Sequence, residues 1–126
     1  MKLHKTPQFN RWARKNDLED DDLCNAAREM AEGLYEANLG GGLFKKRIAR
    51  SAQGKSGGFR TMIASNRKDR WFFLYGFAKN ERSNVSGKEQ EALRKLAGDL
   101  LTATPKTIET MTINNKLMEV DCDEEN

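Results

Sequence analysis

Apolar residues recur along this chain at two different spacings, and the change between them predicts where helices give way to strands. Thr6-Pro7 reads as an N-cap followed by proline at the first helical position. Phe9, Trp12 and Ala13 then share a face at i, i+3 and i+4, while Arg11, Arg14 and Lys15 look outward. The pattern predicts a short helix to about Lys15, with Met1–Lys5 before it as an edge strand. A second helix follows the acidic run Glu19-Asp20-Asp21-Asp22, whose charges suit a helix N-terminus; its apolar stripe is Leu23, Ala26, Ala27, Met30 and Leu34, with Cys24 beside it.

Gly40-Gly41-Gly42 stops helical structure, and the period shortens to two. Three strands are expected, at about Leu43–Arg50, Gly58–Ser65 and Arg70–Lys79. Alternation puts Lys45 with Arg47 on one face of the first, and Phe44 with Ile48 on the other, Lys46 between them. In the second, Phe59, Thr61 and Ile63 share a face and Arg60 points away from them. The third, Trp71-Phe72-Phe73-Leu74-Tyr75-Gly76-Phe77-Ala78, is apolar on both faces, as a central strand covered on both sides should be. Plain alternation also places Trp71 and Tyr75 on the same face of it. Ser86-Gly87-Lys88-Glu89 has capping-box spacing, and Leu93, Leu96, Ala97, Leu100 and Leu101 give the next helix a face to lay on the sheet. Beyond Thr104-Pro105 the pattern weakens to a short helix, Thr107–Ile113, a short strand, Leu117–Val120, and a frayed end, Asp121–Asn126. The pattern thus predicts helices on either side of a run of strands, the helix after Ser86 covering the sheet they form.

A chain of 126 residues is about the usual size of one domain. No apolar run approaches the roughly 20 residues that span a bilayer, and the first residues lead into polar sequence, so a cytoplasmic protein without membrane contact is expected. Cys24 and Cys122 belong to no CxxC or Cys/His cluster and lie far apart in the chain, so both are expected as free thiols. The acids of the second helix are read as dipole partners rather than metal ligands, and neither a metal ion nor another cofactor is expected.

Charge changes the picture more than composition does. Net charge is only +3, but residues 1–16 hold five basic and no acidic side chains, and residues 17–36 hold one basic and eight acidic. Residues 40–82 hold eleven basic against two acidic, and residues 105–126 two against six. A basic block of that density, laid on strands, is an electrostatic footprint for a polyanion; the bland alternative is a solvated basic face. Within it Ala49-Arg50-Ser51-Ala52-Gln53-Gly54-Lys55-Ser56 resembles a relaxed phosphate-binding loop. Its context argues otherwise, since such a loop must open a helix, whereas Gly57-Gly58 leads into the strand-like Phe59-Arg60-Thr61-Met62-Ile63. A lysine-bearing hairpin loop reaching toward a nucleic-acid backbone suits the string better.

Three strings carry a family resemblance: Gly40-Gly41-Gly42-Leu43-Phe44-Lys45-Lys46-Arg47-Ile48-Ala49-Arg50, Gly54-Lys55-Ser56-Gly57-Gly58-Phe59-Arg60-Thr61, and Phe73-Leu74-Tyr75-Gly76-Phe77-Ala78-Lys79-Asn80-Glu81. In this order they resemble the HigB-like branch of the RelE/ParE toxin superfamily, over about Lys5–Leu101. The resemblance implies a compact α+β toxin of a type II toxin–antitoxin pair, with N-terminal helices and a C-terminal helix packed on a small, mainly antiparallel sheet, a toxin domain at residues 1–104 and a C-terminal extension with an acidic tail at 105–126. It also implies an antitoxin partner, expected to be a helix-turn-helix protein. RelE-like members are metal-independent endonucleases that cut mRNA on the ribosome, whereas ParE-like members poison gyrase; a stand-alone RNA-binding module is a further alternative.

For the endonuclease, a ribose 2′-hydroxyl attacks the adjacent phosphate, which calls for a base, an acid and positive charge at the phosphorane. With His4 alone in the first strand, a two-histidine mechanism is impossible, and His4 is read as structural. The catalytic candidates are Lys55, Arg60, Lys79 and Glu81: Arg60 for the phosphate, because its fork binds two oxygens, the lysines for proton transfer, and Glu81 as base or lysine partner. Their bland readings are solvated strand-end charges and an ion pair between Glu81 and Arg82. Lys45, Lys46, Arg47, Arg50 and Arg82 are candidate RNA-backbone contacts. Tyr75, with Trp71 beside it, is a candidate base-stacking platform, with core packing as the alternative.

Overall fold

Among the described residues, every helix but one starts on a side-chain cap that its sequence announces. A computed structural model describes residues 1–49 and 58–122. After β1 (Lys2–Lys5), α1 (Pro7–Lys15) opens with the Thr6 hydroxyl accepting from the Phe9 backbone N–H at 3.0 Å. In α2 (Asp20–Ala31) the Asp22 carboxylate reaches back to the Glu19 N–H at 2.9 Å. The hairpin β2 (Ala37–Gly40) and β3 (Leu43–Ile48) precedes β4 (Phe59–Ser65) and β5 (Arg70–Ala78). The predicted box closes α3 (Gly87–Thr102), where Glu89 N–H donates to the Ser86 hydroxyl and Ser86 N–H to the Glu89 carboxylate. Thr104-Pro105 repeats the start of α1, so α4 (Pro105–Ile113) begins two residues earlier than predicted, and β6 (Met118–Glu119) follows.

The strands form one sheet in the order β2-β3-β4-β5-β1-β6. All pairings are antiparallel except β1 with β5. The fold is thus the expected α+β arrangement, four helices on a mostly antiparallel sheet. One face is sealed by α1 and α2 over Phe9, Leu23, Met30, Ile63, Trp71 and Phe73. The other carries α3 and α4 over Leu43, Met62, Phe72, Leu74, Leu100 and Ile108. β5 is buried on both faces, which accounts for its unbroken apolar string.

Three expectations need correction. β2 was not foreseen: Gly41 and Gly42, both at positive φ (65° and 84°), make a two-residue turn whose backbone suits a hairpin, so the glycines that end the helical region also join two strands. Leu34 is off the α2 stripe and 57% exposed, because the helix ends at Ala31 and Gly33 (φ 94°) turns the chain away. Cys24 and Cys122 are not free but joined in a disulfide, with Cα atoms 5.7 Å apart. β6 pairs with β1, Val120 N–H donates to Leu3 C=O at 3.0 Å, and Asp121 N–H donates to the Asp20 carboxylate at 2.9 Å. The chain end is thereby laid against α2, a juxtaposition that linear spacing cannot reveal.

A fourth correction, of side-chain direction, matters most for function. Met62 pairs with Tyr75 but Ile63 pairs with Phe73, so Leu74 is an extra residue in β5. Leu74 and Tyr75 therefore both belong to the α3 face, and Gly76 turns toward α1, where a Cβ would fall inside the Trp12 ring. Thr6 secures the bulge, its N–H donating to Phe73 C=O at 3.1 Å and its hydroxyl to Leu74 C=O at 3.3 Å. Trp71 and Tyr75 consequently lie on opposite faces, and Trp71 is fully buried against α1 and α2.

Candidate nucleic-acid interface

On the α3 face, antiparallel pairing of β3 with β4 sets Arg47 opposite Arg60 and Lys45 opposite Met62. Pairing of β4 with β5 adds Phe77 opposite Arg60 and Tyr75 opposite Met62. Arg47 is exposed and Lys45 half-buried. The outcome is a cationic surface at the end of the sheet where β5 finishes, with Tyr75 turned onto it by the bulge.

Arg60 is not the solvated strand-end charge of the bland reading. It is 8% exposed, its Nε–H donates to Glu36 Oε1 at 2.8 Å, and its Nη1 is buried with no hydrogen-bond partner among the described residues. Glu36 is anchored by its backbone N–H, which donates to Lys45 C=O at 2.8 Å. A buried, charged N–H without an acceptor is costly, and none of the described residues supplies one to Nη1. Glu36 was missed because nothing in its spacing links it to Arg60; only the turn into β2 brings the two together.

Arg82 forms the second part of the surface. Its carboxylate partner is Glu89, at 2.6 Å and 3.3 Å through Nη2 and Nη1, and not the neighbouring Glu81. Nη1 also donates to the Tyr75 hydroxyl at 3.0 Å, and Nε to Asn84 C=O at 2.9 Å. The Arg82 fork and the Ser86 N–H hold the Glu89 carboxyl down at about 2, and Glu89 in turn raises the Arg82 guanidinium. Glu89 was legible as a cap, but its bond to Arg82 depends on how α3 sits on the sheet.

The other candidates are distributed unevenly. Lys79 and Glu81 are exposed in the turn after β5, beside the start of β4, where Lys79 N–H meets Gly58 C=O at 3.4 Å. Lys46 does not join the surface: it points to the opposite face, 7% exposed, with its ammonium on Glu29 at 2.6 Å and Leu34 C=O at 2.9 Å. Alternation along β3 requires this, since Lys46 shares a side with Phe44 and Ile48. Arg50 and Lys55, with most of the phosphate-loop-like string, lie outside the described residues. The strand at Phe59–Ser65 confirms that the string leads into a strand and not a helix.

His4 stacks on Phe72, with centroids 5.5 Å apart, and burial lowers its pKa below the ordinary 6.5. It lines a cleft of about 800 Å³ between β1, the start of β5 and α4, with Lys2, Arg70 and Ile108. That cleft is at the other end of β5 from Arg82 and contains none of the candidate site residues. Among the described residues no group of three or more His, Cys, Asp or Glu is arranged to hold a metal ion, and no helix is long and apolar enough to cross a membrane.

No curated protein matches the chain. A family model described as the RelE toxin of the RelE/RelB toxin–antitoxin system matches residues 1–120.

Proposed function

The chain belongs to the RelE toxin family, and on that premise we propose that it is a HigB-like toxin that cuts mRNA on the ribosome. Membership makes it the toxin of a toxin–antitoxin system and implies a cognate antitoxin. A cytoplasmic site of action and a helix-turn-helix antitoxin belong to the proposal. The observation that carries it is Arg60: a buried guanidinium held on one edge by Glu36, with Nη1 unsatisfied, beside Arg47.

In this reading the RNA strand runs along the α3 face. Arg47 and Lys45 neutralise its backbone without reading sequence, and the Arg60 guanidinium, held in place by Glu36, supplies positive charge beneath the phosphate. The 2′-hydroxyl attacks the adjacent phosphorus, charge develops on the phosphoryl oxygens, and Arg60 stabilises it where water is excluded. The bond to the 5′-oxygen breaks, leaving a 2′,3′-cyclic phosphate and a 5′-hydroxyl. Lys79, Glu81 and Lys55 are the proposed proton-transfer groups, the first two exposed at the end of β5.

The test is to add the protein to translating ribosomes and map the RNA ends. Wild type should generate new 5′-hydroxyl ends within messages, and Arg60→Ala should lose them by two orders of magnitude or more, on the order of an oxyanion-donor deletion. Intact message together with trapped gyrase in a supercoiling assay would replace this reading with the gyrase-poisoning one. Salt-sensitive RNA binding without cleavage would replace it with a binding module.

A further inference from the structure

We propose that Glu89 is a positioning residue for the RNA site, acting through Arg82 to aim the Tyr75 hydroxyl at a phosphate oxygen of the bound strand. The inference rests on the endonuclease reading above, and adds to it a group that touches RNA and the device that orients it.

Three observations lead to it. The extra residue Leu74 turns Tyr75 away from the buried α1 face and onto the surface that holds Arg47 and Arg60. Arg82 has only donors, so at 3.0 Å the Tyr75 oxygen is the acceptor and its own proton is left to point elsewhere. Tyr75 is half-buried, tilted against Phe77 at 6.2 Å, so its ring is braced by packing while the hydroxyl is fixed by Arg82. Arg82 is in turn locked by the two contacts with Glu89, and Glu89 by the Ser86 N–H at 2.7 Å. The N-terminus of α3, a rigid element, thus sets the direction of a hydroxyl on the sheet.

A carboxylate at this position has a second occupation, closing the capping box of α3, and the test has to separate the two. Glutamine serves equally well in a capping box, so Glu89→Gln keeps the cap and weakens the hold on Arg82. Tyr75→Phe keeps the ring and deletes only the hydroxyl. Each single variant should cut RNA about tenfold more slowly, the size expected for one charge-assisted hydrogen bond. In the Tyr75→Phe background, Glu89→Gln should cause no further loss, because the hydroxyl it orients is gone.

A cleavage rate for Glu89→Gln equal to wild type overturns the proposal. So does a loss that persists undiminished in the Tyr75→Phe background, which would make Glu89 merely structural. Should Glu89→Gln fail to fold, Arg82→Lys tests the same link, since one ammonium cannot replace the fork that spans Glu89 and Tyr75. Its loss should likewise vanish without the hydroxyl, and persistence would count against the proposal. A wild-type protein that leaves RNA whole sinks the endonuclease reading and this inference together, whereas a cleaving wild type with an indifferent Glu89→Gln sinks this inference alone.

Discussion

The two faces of the sheet are built from the same strands by the same alternation, yet they are different surfaces. On the α1 and α2 side every large side chain of β4 and β5 is apolar and buried, and Lys46, which enters from β3, is neutralised by Glu29 and a backbone carbonyl. On the α3 side the apolar floor stops at Met62 and Phe77, and beyond it stand Arg47, Arg60, Tyr75 and Arg82. There, too, carboxylates meet the arginines, but Glu36 takes only one edge of Arg60 and leaves the buried Nη1 without an acceptor among the described residues. Complete pairing makes a structural ion pair; partial pairing leaves a charge with a donor still unmet. The lesson is that a lysine and an arginine fourteen residues apart, both nearly buried, differ in use because of what their neighbours leave unsatisfied.

The largest effect that separates the faces should be on stability. Phe73→Ala empties a fully buried site on the sealed face and should cost about 3–5 kcal/mol in chemical denaturation. Tyr75→Phe, two residues on, should cost under about 1.5 kcal/mol, since the ring's packing survives. Equal losses would mean that the Tyr75 hydroxyl carries a buried structural bond rather than standing on a surface.

Next is the disulfide, which ties the end of the chain to the sealed face across a separation of 98 residues. Replacing both cysteines with serine should lower unfolding free energy by about 2–5 kcal/mol, measured in urea, by freeing the denatured chain. Reductant should reproduce the loss in wild type and leave the variant untouched.

The smallest effect is a slope with pH. His4 is held neutral by burial, so its folded pKa lies below 6.5 and the unfolded chain binds the extra proton. Stability should therefore be complete above about pH 6.5 and fall as acid protonates the unfolded form, down to the folded pKa. His4→Phe, which keeps the stack on Phe72, should flatten that part of the curve; an unchanged slope would assign it to other groups.

Most of the fold was legible because it rests on local signals. Thr6-Pro7, Ser86-x-x-Glu89 and the two-residue period of β3–β5 are each sufficient within a few residues. What could not be read depends on distant parts meeting: the bulge at Leu74, which looks like ordinary alternation until Thr6 and Trp12 are placed around it; the joining of Cys24 to Cys122; and the partners Glu36 and Glu89. The proposed site was therefore legible in its cations and not in its anions. Arg60 and Arg82 were visible as charges, but whether each was free, half-held or quenched is a property of tertiary packing. Lys46 shows the same limit from the other side, since its membership of a basic string said nothing about the face it served.

The central claim is that the α3 face, and not basic charge in general, holds the scissile phosphate. It is tested most directly by measuring RNA cleavage on translating ribosomes with Arg60→Lys and Lys46→Met side by side. Arg60→Lys keeps the charge but loses the fork and should fall about a hundredfold or more, whereas Lys46→Met should stay within about twofold of wild type. The reverse order, or an equal loss in both, would contradict it.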